Sequence, residues 1–141
     1  MPKSIAEQSS DLRLGTFRLT RRLRAEKADN ELTDGELAVL GALHGGGPRT
    51  LGVLAALERV SPPSMNRTVN RLEAAGYVVR TVDEHDRRKA NITLTDAGAS
   101  VVKETVKKRD AWLSVQLRAL SPDDRAVLAQ AAEIMRRLAT Q

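Results

Sequence analysis

Apolar residues fall at helical spacing along most of the chain and switch to strict alternation only once. From about Ser4 to Ala28, Leu12, Leu19 and Leu23 make one stripe, with Leu14 and Phe17 nearby. The other face of this segment carries Arg13, Arg18, Arg21, Arg22 and Arg24. Asp29-Asn30 breaks the pattern, and Thr33-Asp34-Gly35-Glu36 reads as a capping box that opens a short apolar helix to about Leu43. "HGGGP", His44 to Pro48, ends it and links it to the next helix. Thr50 can cap that helix, which runs through Leu51, Leu54 and Leu57.

Ser61 then stands as an N-cap with Pro62 at the first helical position, where a missing N–H costs nothing. This helix extends to about Ala75, and Gly76 is placed to end it. After Gly76 the period becomes two. Tyr77 to Val82 reads as a strand, and Ala90, Ile92 and Leu94 alternate with Asn91 and Thr93 in a second. "DEHDRRK", Asp83 to Lys89, is therefore the tip of a two-stranded hairpin. Thr95 caps a long helix to about Leu120, striped by Val102, Val106, Leu113 and Leu117. Ser121-Pro122-Asp123-Asp124 starts the last helix, striped by Val127, Ala131, Ile134 or Met135, and Leu138. The expected fold is mostly α with a small two-stranded β-hairpin, in the order α-α-α-α-β-β-α-α.

Two short helices, a tight connection, a capped helix and a hairpin make a winged helix-turn-helix. In the capped helix, steps of about 100° per residue place Met65, Val69 and Leu72 on one core-facing arc. The opposite arc holds Pro63, Arg67, Asn70 and Arg71, with Ser64 at its edge, and no acid. Arginine and asparagine read base edges bidentately, and N–H groups in a first helical turn favour phosphate. Arg87 and Arg88 at the hairpin tip are suited to a minor groove. The bland alternative is a solvated helix face and a solvated turn. The hairpin directly downstream favours the DNA reading.

Composition narrows the field further. The chain has 141 residues, enough for one domain, with a formal net charge of +5 that suits a polyanionic partner. It contains no cysteine, which excludes disulfides, thiolate zinc sites and thiol redox sensing. His44 and His85 stand far apart, so no metal site is expected, and no cofactor. No apolar run approaches the ~18 residues of a membrane span, and "MPKSIAEQSSD" lacks a signal-peptide core, so the expected location is cytoplasmic with no membrane partner. Enzyme chemistry finds no support. There are no paired carboxylates in an evident cleft, no nucleophile–histidine pair and no Gly-rich phosphate loop, and "HGGGP" has no G-x-S-x-G elbow to accompany it. A protein-interaction module that kept the wing would replace Pro63, Arg67, Asn70 and Arg71 with acids or apolar residues.

The segments "LTDGELAVLGAL" and "TLGVLAALERVSPPSMNRTVNRLEAAGYVVRTVDEHDRRKANITLTDAG" resemble the MarR family of bacterial transcription regulators. "DRR" at Asp86 to Arg88 and "LTDAG" at Leu94 to Gly98 are the most specific matches. The resemblance covers essentially the whole chain. It implies an intertwined homodimer, in which residues 1–31 and 95–141 form a helical dimerisation region and residues 32–94 a winged DNA-binding lobe. It also implies a repressor on a pseudo-palindromic operator in double-stranded DNA, released by a small phenolic or aromatic acid held between the two regions. The apolar stripes of the terminal helices agree, with an intramolecular bundle as the alternative. Candidate ligand residues are Arg18, Arg21 and His44 for the anion, and Phe17 and Trp112 for the wall. The acids of the wing are less direct. Asp86 is expected to pair inward with an arginine and stiffen the wing; the resemblance favours Arg88 over Arg87 as the groove residue, while spacing does not choose.

Overall fold

The computed structural model describes residues 1–141. In chain order the elements are α1 (Ile5–Arg24), α2 (Asp34–Gly46), β1 (Arg49–Thr50), α3 (Leu51–Glu58), α4 (Pro62–Ala74), β2 (Val78–Val82), β3 (Ala90–Leu94), α5 (Asp96–Arg118) and α6 (Pro122–Ala139). Each helix is opened by a Ser or Thr: Ser4, Thr33, Thr50, Ser61, Thr95 and Ser121 all accept a hydrogen bond from the amide three residues on. These caps satisfy donors that a helix cannot satisfy internally.

The structure corrects the sequence reading at four places. The sheet has three antiparallel strands in the order β1-β3-β2, because Arg49 and Thr50 pair with Ile92 and Asn91. A two-residue strand carries no alternation to read. Secondly, α1 stops at Arg24 rather than near Ala28, and backbone groups around its end are held by α5 instead of by a further helical turn. Arg109 Nε of α5 donates to the carbonyls of Leu23 and Glu26, each at 3.2 Å, and the Ala28 amide donates to Thr105 Oγ1 at 3.1 Å. Thirdly, α2 runs through Gly45 and Gly46, and only Gly47, at φ 75°, leaves the helix. The glycines thus make a helical last turn rather than a free link. A side chain at Gly46 would collide with the Arg49 guanidinium. Finally, the Thr33 capping box is incomplete: Thr33 Oγ1 accepts from the Glu36 amide, but the Glu36 carboxylate takes the Thr33 hydroxyl and Arg71 instead of the cap amide.

The core lies in the middle of the chain. Leu37, Val39, Leu40 and Leu43 of α2 meet Leu54 and Ala55 of α3, Met65, Val69 and Leu72 of α4, Val78 of β2, Ile92 of β3, and Val101 and Val102 of α5. By contrast, α1 and α6 bury no residue. Leu12, Phe17, Val127, Ile134 and Leu138 all stay exposed. No helix is long and apolar enough to cross a membrane.

The "LTDAG" motif locks hairpin to helix. Thr95 Oγ1 donates to the Gly76 carbonyl at 2.6 Å and accepts from the Gly98 amide at 3.1 Å. The Thr95 amide donates to the Tyr77 carbonyl at 3.1 Å. A Cβ at Gly98 would lie 2.2 Å from that same carbonyl oxygen, so the glycine permits the approach.

Candidate nucleic-acid interface

Three flanks of α4 have different surroundings. Its core stripe, Met65, Val69 and Leu72, is almost fully buried. The stripe toward the hairpin is Asn66, Asn70 and Glu73, spaced i, i+4, i+7. Arg80 of β2 reaches across to it: Nη2 donates to Asn66 Oδ1 at 3.1 Å and to Asn70 Oδ1 at 2.7 Å. Arg80 Nε lies 3.7 Å from Glu73 Oε1. The flank toward α2 is closed by Arg71, whose Nε is 3.4 Å from the buried Glu36 carboxylate and whose Nη2 donates to Thr68 Oγ1 at 3.4 Å. The open face left between these flanks carries the exposed Pro63 and Arg67, with half-buried Ser64 in the first turn. The Ser64 amide is taken by the Ser61 cap at 3.2 Å.

The six predicted helix and wing positions other than Asp86 and Arg88 thus divide. Pro63, Ser64 and Arg67 share the open N-terminal face, and no ion pair of the chain includes Arg67 or Arg87. Asn70 and Arg71 are engaged within the protein, although both are exposed. Sequence reasoning missed Asn66 and Arg80. The signal was present: Arg80 lies two residues after the buried Val78 and so shares its face of the strand.

The wing tip is built from its acids. Asp83 Oδ1 accepts from the amides of His85 and Asp86 at 2.8 and 2.9 Å, forming an Asx-type turn. The hairpin closes through the Asp83 amide to the Lys89 carbonyl and the Lys89 amide to the Asp86 carbonyl, both at 3.0 Å. Asp86 Oδ1 accepts from the Arg88 backbone amide and from its Nε, both at 3.1 Å, and Asp86 Oδ2 accepts from Nη2 at 3.4 Å. The Arg88 side chain nevertheless remains 91% exposed. The amides of Asp86 and His85 hold the Asp83 carboxyl below its ordinary range, and the Arg88 guanidinium and amide do the same for Asp86. Both acids therefore stay ionised and support a tip that still projects Arg87 and Arg88 outward.

A second region lies between α1 and the start of α2. Phe17, Thr20, Arg21, Arg24 and Asp34 line a hollow of about 410 Å³. Of the five candidate ligand residues, Phe17 and Arg21 come together there. Arg18 and His44 are exposed and lie outside it. Trp112 is also outside it, with the Arg22 guanidinium stacked 4.5 Å from its ring centroid. Arg24 was not anticipated.

Helix-turn-helix, three-stranded wing and long flanking helices define a winged-helix DNA-binding protein. A family model described as the MarR family matches residues 31–89. The chain is 36% identical to an HTH-type transcriptional regulator of Mycobacterium bovis, over 96% of this chain and 94% of that one. It is 28% identical to the HTH-type transcriptional repressor MdtR of Bacillus subtilis, over 97% of this chain and 89% of that one. Its backbone also matches that of BpsR from Bordetella bronchiseptica, whose DNA binding is regulated by 6-hydroxynicotinic acid. That match has a TM-score of 0.66 and 25% identity, over 96% of this chain and 98% of the other. The chain belongs to the MarR family and is a DNA-binding transcriptional regulator; regulators of this family bind DNA and form dimers.

Proposed function

We propose that the protein is a repressor that binds a pseudo-palindromic operator as a homodimer and is released by a small aromatic carboxylate. The observation that carries the DNA reading is the wing tip, where Asp86 braces an Arg88 that remains almost fully exposed beside the acid-free open face of α4. In this reading α4 enters the major groove, with Pro63, Ser64 and Arg67 at the DNA and Asn70 and Arg71 along its flanks. Arg88 enters the flanking minor groove, and Arg87 meets phosphate. Residues 1–31 and 95–141 form the dimerisation region, because α1 and α6 carry apolar side chains that their own chain leaves uncovered. Residues 32–94 form the winged lobe.

The effector reading rests on the hollow at Phe17, Arg21 and Arg24, which offers two guanidinium groups and one aromatic wall between α1 and the lobe. The likeness to MdtR supports repression, and the likeness to BpsR supports an aromatic acid. The test is a gel shift with DNA from upstream of the protein's own gene, repeated with a panel of aromatic carboxylates. A retarded band abolished by one of them is expected. A band that no acid alters removes the effector reading, and no band at all removes the operator reading.

A further inference from the structure

Arg80 decides which way two recognition-helix amides face. A guanidinium only donates hydrogen bonds, so the amide atom it meets on each asparagine is the carbonyl oxygen. One Nη2 group has two hydrogens, and both are used: one goes to Asn66 Oδ1 and one to Asn70 Oδ1. Glu73, 3.7 Å from Nε, restrains the other edge of the same guanidinium. With both oxygens drawn toward β2, the Nδ2 groups of Asn66 and Asn70 are turned away from the hairpin. Both residues are exposed.

This orientation has a consequence for base readout. An asparagine that recognises adenine bidentately must accept from N6–H and donate to N7 with the same amide. Here each amide oxygen is turned toward β2 with one lone pair held by Arg80, so the group turned away from the hairpin is the donor. Guanine offers two acceptors, O6 and N7, on its major-groove edge, whereas adenine places a donor beside its one acceptor. We propose that Arg80 is a specificity-determining positioning residue that fixes Asn66 and Asn70 as hydrogen-bond donors, so that they favour guanine over adenine. This rests on the reading of α4 as the helix in the major groove.

The test is selection of binding sites from a random-sequence duplex library by the full-length protein and its variants. Asn66→Ala and Asn70→Ala identify the base positions that each residue reads. At those positions the wild type is expected to prefer guanine over adenine by about tenfold. Arg80→Lys, which can only donate, keeps that preference. Arg80→Gln, which can donate or accept, lets the amides flip and brings adenine close to parity. Asn70→Asp keeps the contact to Arg80 but turns an acceptor outward, and cytosine, with its N4 donor, replaces guanine at that position. This last variant leaves Arg80 in place and so reads the orientation even if the Arg80 variants fold poorly. Adenine preferred by the wild type, or unchanged preferences in both Arg80→Gln and Asn70→Asp, overturns the proposal. Uniform weakening on every sequence in the asparagine variants also overturns it, since that marks phosphate contact. If sites are selected but no substitution at Arg67, Asn66 or Asn70 alters them, the reading of α4 itself fails.

Discussion

Asp86 grips Arg88 at three points, its backbone amide, Nε and Nη2, while leaving the guanidinium open to solvent. A fork held in this way loses less side-chain freedom on binding than a free one. Asp86→Ala removes a negative charge next to the DNA, and simple Coulomb repulsion predicts tighter binding. Loss of the brace predicts the opposite. Fluorescence anisotropy on operator DNA should report a several-fold weaker complex; a tighter one favours repulsion as the better account.

Substitution of the groove residue itself acts more strongly. Arg88→Ala should weaken operator binding by about 1–3 kcal/mol and reduce the magnitude of the log–log salt slope by about one phosphate equivalent or less. Equilibrium titrations at several salt concentrations separate the two effects. Undiminished affinity in both Arg87→Ala and Arg88→Ala would remove the wing from the interface.

The wing should be insensitive to pH until strong acid. Asp83 and Asp86 both have lowered values in the folded protein. The order they confer is therefore fully present above the ordinary carboxylate value, near 4. It is lost as the pH falls through the lowered folded-state values. The backbone amide shift of Arg88, which donates to Asp86, followed by NMR, should stay constant from neutral pH down to about 4. A transition well above about pH 4 would mean that these two carboxylates do not hold the tip.

At the base of the lobe, Tyr77 Oη donates to Asp29 Oδ2 at 2.6 Å, tying the β2 approach to the α1–α2 connection. This bond, reinforced by burial, pushes the Tyr77 hydroxyl up to about 12 and holds Asp29 below its usual range. The contribution of Tyr77 is complete below the ordinary tyrosine value of about 10 and disappears as the pH rises through about 12. That of Asp29 disappears as the pH falls through its lowered value. Tyr77 is the only tyrosine, so an ultraviolet titration reads it without overlap. Tyr77→Phe should cost about 1 kcal/mol in urea unfolding at neutral pH.

Gly98→Ala tests the contact between helix and hairpin. The added methyl would sit 2.2 Å from the Tyr77 carbonyl oxygen, and Leu94 Cδ2 would be only 2.9 Å away. Relief requires moving backbone, so a loss of about 1–3 kcal/mol is expected in thermal or denaturant unfolding. Unchanged stability would mean that α5 shifts freely against the wing.

Much of this architecture was legible because it is written in local patterns. Met65, Val69 and Leu72 announce the core face of α4 by spacing, and all six helix caps are Ser or Thr. The rest depends on contacts between segments distant in sequence. β1 gains its strand character only by pairing with Ile92, and Arg71 is drawn to Glu36 on another helix. The hold of Arg80 on Asn66 and Asn70 needs the strand to lie across α4, which no single-segment periodicity reveals. The acids of "DEHDRRK" looked contradictory beside two arginines. Asp83 builds the turn and Asp86 braces Arg88; nothing in the structure explains Glu84.

Hydroxyl-radical footprinting of an operator with wild-type protein and Arg88→Ala tests the central claim most directly. The wild type should protect two patches about one helical turn apart, roughly 34–36 Å, each flanked by a protected minor groove. In Arg88→Ala the flanking protections should vanish while the inner patches remain at saturating protein. A single unpaired patch, or flanks unchanged by the substitution, would contradict a dimer that reads DNA with α4 and the wing together.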